Sequence, residues 1–362
     1  VPQLTPFFAV FSVAAVALYW AVPRAWRPGV LALTSTAFLA VLDPVDAGLM
    51  IGLVAWTWLA RAHPAAGIGA LVAVFVALRG LEAGQAIAPL GFGFLACRLV
   101  AWLADRDAHA PHGWWALYSY ALFWPAVVVG PIHRFPEFVR DQRRQRWDPQ
   151  LVADGLERVL YGLAKITVLS HWLVGVHLYN AVQLHLAVPR DAGTVLAECG
   201  LYGLQLYLSF AGCSDVAIGL GRVLGFRLPE NFHWPFLQRN LSAFWESWHA
   251  TLSLWCRQHV FLPVFSRSRR TIPALVASML ALAGWHELSG RYLAWGVYHA
   301  AGLAVLRLYR VHAADRLPEL PGPLGQVLAT ALTVSFVVLG FVFTKNADPT
   351  AIAADLRLLG GL

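Results

Sequence analysis

Three histidines stand in apolar, tryptophan-rich stretches, where an ionisable group is costly. His286 falls in Gly284-Trp285-His286-Glu287, His249 closes Phe244-Trp245-Glu246-Ser247-Trp248-His249, and His299 closes Trp295-Gly296-Val297-Tyr298-His299. Imidazole titrates near neutrality, which suits a general base or acid. His286 stands 15 residues past Thr271, ~22 Å along a helix, a depth inside a membrane or near its far side. Ionisable groups at such depth usually face a polar cavity. On its own, His249 reads as a packing histidine satisfied by one backbone carbonyl. His299 reads as a hydrogen-bonding partner between helices, and a turn at Ser289-Gly290-Arg291 brings its helix to that of His286. Lys165, His171, Glu198 and Arg98 also interrupt apolar runs and read as interhelical polar pairs.

Other chemistries lack their residues. Gly212-Cys213-Ser214-Asp215 with Gly219, Gly221 and Gly225 is glycine-spaced but has no phosphate-loop lysine and serine. Small residues for close helix approach, or re-entrant backbone facing a cavity, explain it. There is no G-x-S-x-G elbow and no H-E-x-x-H helix, since glycine occupies position 290 where the second zinc histidine would fall. Cys97, Cys199, Cys213 and Cys256 form no C-x-x-C pair and read as small buried hydrophobes. No metal site is expected.

The elements that must hold these residues are membrane helices. Of 362 residues, 58% are hydrophobic and 13% charged, about half the roughly 25% charge of soluble domains. Mean hydropathy is +0.58. The net charge of +7 comes from arginines between apolar runs, the positive-inside pattern. Once the spans are removed no exposed basic face remains, which argues against nucleic acid. A first span is expected over about Leu4–Val22, since Pro2 to Pro23 lacks the basic start of a signal peptide. Shorter runs follow at Val30–Leu42, Ala47–Ala60 and Ala65–Leu78, each below the ~20 residues of a full span. Ala83–Leu103 and Trp114–Ile132 come next. The basic loop of Arg134, Arg140, Arg143, Arg144 and Arg146 is assigned to the cytoplasm. Five segments separate Arg27 from Arg134, yet two cytoplasmic loops need an even number. One short segment therefore does not cross, or the first loop is misassigned.

Further spans are expected at Leu156–Tyr179, Ala192–Ser214, Ile272–Glu287, Tyr292–Leu306 and Leu324–Phe343. Between them Asn240–Phe265 reads as an amphipathic helix, with Trp245, Trp248, His249, Leu252, Trp255 and Cys256 at helical spacing. Such an aromatic stripe is ordinarily packing. The expected fold is an all-α polytopic membrane protein of about 9–11 membrane helices, some short, tilted or re-entrant, in a single domain over residues 1–362.

Further residues fall into an ordered pattern. Tyr19-Trp20 precedes Pro23, and Pro89-Leu90-Gly91-Phe92 leads to Gly130-Pro131-Ile132-His133-Arg134-Phe135. Ser214-Asp215, Ala217-Ile218-Gly219-Leu220 and Gly225-Phe226 follow. The densest stretch runs from Pro229-Glu230-Asn231-Phe232 and Pro235 through Phe244-Trp245, Trp248-His249 and Leu252-Ser253 to Trp255 and Arg257. Trp285-His286 and Trp295-Gly296 with His299 complete it. In this order and spacing the chain resembles the membrane-bound O-acyltransferase (MBOAT) family, in the bacterial branch of alginate O-acetylation, peptidoglycan O-acetylation and lipoteichoic acid D-alanylation. Departures are Glu287 for glycine after Trp-His, Ser209 for an aspartate, Cys213 for an aromatic, Glu246 and Ser247 for two arginines, and Gln258 for an acid.

The resemblance implies an O-acyltransferase, multi-pass in the cytoplasmic (inner) membrane of a bacterium, built around a central tunnel from a cytoplasmic donor side to an external acceptor side. It implies that His286 is catalytic, as general base, and that His249 is the second key residue. His299, Trp285, Trp248, Trp245, Asn231, Glu230, Asp215, Arg257 and Glu287 are then expected to support the tunnel or position donor and acceptor. The donor would be an acyl-CoA or acyl-carrier-protein thioester, with no bound cofactor. Acetyl is the first choice of acyl group, and the acceptor a hydroxyl of a cell-surface polysaccharide, glycan or partner protein. Expected partners are membrane lipids, an extracytoplasmic acyltransferase and an acyl carrier protein, not nucleic acid. Two readings compete: a transport subunit passing an acyl group or glycolipid without making a bond, and a structural partner with inert histidines.

Overall fold

The computed structural model describes residues 5–82, 91–105, 113–186, 190–313 and 322–361. Helices joined by short turns make up nearly all of them, with no strand among the described residues. The chain is an all-α polytopic membrane protein. Arg24–Leu42, Pro44–Ala62, Pro149–Leu184, Ala192–Val223 and Gly322–Phe343 are long and apolar enough to cross a membrane, and shorter apolar helices lie at Pro6–Ala21, Pro64–Gly80, Phe92–Ala104 and Thr271–His286. The chain forms two compact units, Val1–Ala164 with Phe210–Glu230, and Lys165–Ser209 with Asn231–Leu362.

In the first unit α1 (Pro6–Ala21) is capped by Thr5. A single 3-10 turn leads into α2 (Arg27–Leu42). The Asp43 carboxylate accepts the N–H groups of Val45 at 2.7 Å and Asp46 at 3.0 Å to start α3 (Pro44–Leu59). Caps and flanking turns lengthen two runs that look too short by apolar residues alone, so that Arg24–Leu42 and Pro44–Ala62 each reach 19 residues. After α4 (Pro64–Glu82), α5 (Phe92–Ala104) starts from Gly91 at φ 84°. A Cβ on Gly91 would lie 2.2 Å from the Val127 carbonyl oxygen, so only glycine fits. Residues 83–90 of the expected span Ala83–Leu103 lie outside the described residues.

Trp114–Ile132 is not the continuous span its composition suggests. It breaks into α6 (Trp114–Ala121) and the single turn α7 (Trp124–Val127), followed by irregular backbone to Arg134. Eight residues of α6 reach only ~12 Å of a ~30 Å hydrocarbon core. Non-helical backbone at membrane depth survives only where protein buries it and its polar groups find partners. Arg98 supplies them. Fully buried, it donates from Nη1 to the Ala121 carbonyl at 3.1 Å and from Nη2 to that of Ala126 at 2.6 Å. The interhelical pair expected of Arg98 is thus a clamp on broken backbone. Arg98→Leu would orphan both carbonyls, at ~1–3 kcal/mol each. A melting temperature in detergent far below wild type is the expected result, and an unchanged one would refute the clamp.

The basic loop holds an amphipathic helix, α8 (Phe135–Arg144), which buries Phe135, Phe138 and Val139 and exposes Arg140, Arg143 and Arg144. Phe138 stacks on Phe226 at 4.6 Å. α9 (Pro149–Ala164) continues through a π-helical stretch, Lys165–Leu178, into α10 (Tyr179–Leu186). α11 (Ala192–Val223) runs straight through the glycine-spaced stretch. A Cβ on Gly155 would lie 2.7 Å from the Gly219 carbonyl oxygen, and one on Gly219 2.5 Å from that of Gly155. Of the two explanations for these glycines, close helix approach is the one observed. Gly219→Ala must push backbone apart and is expected to cost ~1–3 kcal/mol by thermal unfolding.

In the second unit the expected helix Asn240–Phe265 is interrupted. α12 (Leu241–Ser247) and α13 (Ala250–Cys256) are separated by Trp248 and His249. A π-turn, Arg257–Phe261, then leads into α14 (Leu262–Ser268). α15 (Thr271–His286) and α16 (Gly290–His312) form a tight hairpin. A Cβ on Gly296 would lie 2.9 Å from that of Ala283, so glycine lets the two helices touch. α17 (Gly322–Gly340) precedes α18 (Pro349–Leu359), which has no counterpart among the expected spans. Glu198, expected in a polar pair, joins a network that links four charged residues. Arg190 bonds Glu198 and Asp355 at 2.6 Å each, and Lys345 bonds Glu198 at 2.5 Å and Asp355 at 3.0 Å.

Candidate active site

The α15–α16 hairpin and the break between α12 and α13 bring His286, His299 and His249 into one aromatic cluster in the second unit. His286 is the last residue of α15. Its ring lies 4.9 Å from Trp285, 5.5 Å from Tyr292 and 5.8 Å from Trp295. Trp295 in turn lies 4.9 Å from His299 and 5.6 Å from Trp245, and Trp245 lies 5.1 Å from His299. His249 stands edge-on to Trp285 at 5.5 Å. Trp285 thus touches both His249 and His286. His249 and His299 are 2% and 1% exposed, whereas His286 is half-buried.

Local structure explains how His249 reaches Trp285. On a continuous helix it would share one stripe with Trp245 and Leu252. Instead Trp248 is extended and His249 adopts the left-handed conformation, φ 45° and ψ 49°. For a residue with a Cβ this costs ~1–2 kcal/mol, although histidine visits the region more than most. Strain of this kind clusters at functional sites.

Nδ1 of His299 and Nε1 of Trp245 are buried without a hydrogen-bond partner among the described residues. Such atoms are rare in packed interiors, and a bound ligand is one thing that satisfies them. A cavity of about 480 Å³ adjoins the cluster. Leu275, Ser278, Met279 and Leu282 of α15 form one wall, and Trp245 and Ala250 another. Glu246 and Arg257, both exposed, also border it. It climbs α15 to within four residues of His286, ~6 Å along the helix. The arrangement sets imidazole nitrogens near a partly open, mostly apolar cavity.

The other sequence-derived residues divide. Trp248 packs 5.6 Å from Phe244 and 5.5 Å from Phe232, and reaches the cluster through Phe244, which lies 5.5 Å from Trp245. Asn231, 1% exposed, bonds the start of α13. Glu287 forks onto Arg291, which donates from Nε at 3.0 Å, and Arg291 Nη1 also donates to the carbonyls of Thr344 at 3.2 Å and Asn346 at 3.1 Å. Asp215 and Glu230 belong to the first unit. There Arg158 bridges them, with its Nη2 at 2.8 Å from Asp215 and its Nη1 at 2.5 Å from Glu230. Trp295, Tyr292, Arg291 and Arg158 had no assigned role in the sequence reading. Tyr292, Trp295 and His299 share one face by helical spacing, and Glu287 and Arg291 are four apart, so both signals were present. Among the described residues no group of three His, Cys, Asp or Glu side chains is arranged to hold a metal.

Residues 99–317 match the sequence profile of the membrane-bound O-acyltransferase family, MBOAT. The chain is 29% identical over 265 residues to a probable alginate O-acetylase of Pseudomonas aeruginosa, covering 71% of this chain and 48% of that protein. It is 30% identical over 243 residues to the teichoic acid D-alanyltransferase of Bacillus subtilis, covering 62% and 60%. To the peptidoglycan O-acetyltransferase of Helicobacter pylori it is 28% identical over 258 residues, covering 67% and 46%. The chain spans about half the length of these curated relatives.

Proposed function

The chain belongs to the membrane-bound O-acyltransferase family, and on that premise we propose that it transfers an acyl group, acetyl first among the candidates, from a thioester to a hydroxyl of a cell-envelope polysaccharide, glycan or partner protein. The donor, an acyl-CoA or an acylated carrier protein, approaches from the cytoplasmic side of a bacterial inner membrane. Where the acceptor is a partner protein, a separate extracytoplasmic acyltransferase completes delivery. The named substrates of the relatives, which are alginate, teichoic acid and peptidoglycan, support an envelope acceptor.

The observation that carries this reading is the pair of histidines that both contact the Trp285 ring. His286 takes the proton of the acceptor hydroxyl as its oxygen attacks the thioester carbonyl carbon. The C–S bond breaks, the ester forms, and the imidazolium returns the proton to the leaving thiolate. General base catalysis of this kind contributes ~10²–10⁴-fold. His249 stabilises the carbonyl oxygen as charge develops on it. The cavity along α15 suits the donor arm, and the spare polar atoms of His299 and Trp245 suit its polar groups. Arg257 and Glu246 border that cavity, Asn231 and Trp248 support the turn at His249, and Glu287 anchors the end of α15. Asp215 and Glu230, engaged by Arg158, support the fold.

The test is the purified protein in liposomes with radiolabelled acetyl-CoA and, separately, an acetylated carrier protein, each with an envelope polysaccharide added as the hydroxyl acceptor. An acyltransferase consumes the thioester and moves label into an alkali-labile ester. A transport subunit would leave the thioester intact on both sides, and that result would sink the proposal.

A further inference from the structure

The break between α12 and α13 has a specific cause in the second unit. In a continuous helix the Thr251 N–H would bond the Ser247 carbonyl four residues back. Both groups are instead occupied by the segment that begins at Asn231. The side-chain oxygen of Asn231 accepts the Thr251 hydroxyl at 2.9 Å and the Thr251 N–H at 3.4 Å. The Ser247 carbonyl accepts the His233 N–H at 3.0 Å, and the Asn231 carbonyl accepts the Ala250 N–H at 2.9 Å. Residues 231–233 therefore replace both ends of the helical bond that would straighten the chain through His249. Asn231 is fully enclosed, so water cannot take over these bonds.

From this geometry we infer that Asn231 is a positioning residue, which holds His249 in its left-handed conformation and thereby keeps its ring against Trp285. The inference rests on the reading of His249 as a participant in acyl transfer. Without the Asn231 side chain, the Thr251 N–H and hydroxyl lose their acceptor, and only the main-chain bonds of His233 and Ala250 still hold the break. The first turn of α13 is then no longer pinned, and the His249 ring is free to shift from Trp285. Misplacement of a reacting group by about 1 Å can cost on the order of 10²-fold in rate.

The experiment measures ester-linked acyl groups on envelope polysaccharide by mass spectrometry, normalised to membrane-inserted protein. It compares Asn231→Ala, Asn231→Asp, Thr251→Val and Thr251→Ser, with Asn231→Ala also made in a His249→Ala background. Asn231→Ala and Thr251→Val are expected to lose ~10–100-fold. Asn231→Asp, which keeps an acceptor oxygen, and Thr251→Ser, which keeps the hydroxyl, are expected to stay near wild type. In the His249→Ala background Asn231→Ala should cost nothing more, because residues acting through one another are not additive. Equal fold-losses in both backgrounds would overturn the inference, as would wild-type acylation by Asn231→Ala when His249→Ala is impaired. Wild-type acylation by His249→Ala would instead overturn the underlying role of His249.

Discussion

His286→Ala is expected to lower acyl transfer by ~10²–10⁴-fold while leaving the protein folded in the membrane. His286 ends α15 and is only half-buried. Its removal takes ring contacts from Trp285, Tyr292 and Trp295 at the end of the helix. The stability cost should fall in the ordinary range of ~0.5–3 kcal/mol. The two quantities separate the roles of a base and a packing ring. A base loses rate per folded molecule, whereas a packing ring loses melting temperature at unchanged rate. His286→Gln, which keeps a polar side chain of similar reach but cannot accept and return a proton near neutrality, should be as inactive as alanine.

The second large effect is at His249. Loss of a positioned donor to a developing oxyanion costs on the order of 10²–10³-fold, and His249→Ala and His249→Gly should both show it. Their stabilities should differ. Alanine at φ 45° keeps the left-handed strain and glycine does not. His249→Gly is therefore expected to be more stable than His249→Ala by ~1 kcal/mol, read as a higher melting temperature at equal inactivity. If alanine proved the more stable of the two, the left-handed turn would not be part of the native site.

These effects bear on how far the sequence could be read. The place of His286 at the end of a helix starting at Thr271, and the hairpin that brings it and His299 to Trp295, followed from helix rise and a short turn, because α15 and α16 are regular. His249 was harder. Residues 245, 248, 249 and 252 have perfect helical spacing, yet the helix breaks between them. Its cause is Asn231, 18 residues earlier in the chain, and local periodicity carries no trace of so distant a hydrogen bond. Trp114–Ile132 failed for the same reason. It is apolar enough to span, but its break is stabilised by Arg98 from another helix, which composition registers only as an interruption. α18 was missed because it is neither long nor uniformly apolar and is anchored through buried Asp355.

Charged residues were the least legible. Asp215 and Glu230 sit in motifs of the family pattern, and both pair with Arg158. Glu287, where the chain leaves its family's pattern, is drawn to Arg291 one helical turn on. Residue type shows that a charge is present. The partner that neutralises it depends on tertiary approach, except where the i, i+4 spacing makes it local.

The most direct test of the central claim is mass spectrometry of ester-linked acyl groups on cell-surface glycans. It compares strains carrying the native chain, lacking it, and carrying His286→Ala at equal membrane abundance. Acyl groups should be present in the first strain and missing from the other two. Full acylation with His286→Ala would contradict a catalytic role for this histidine.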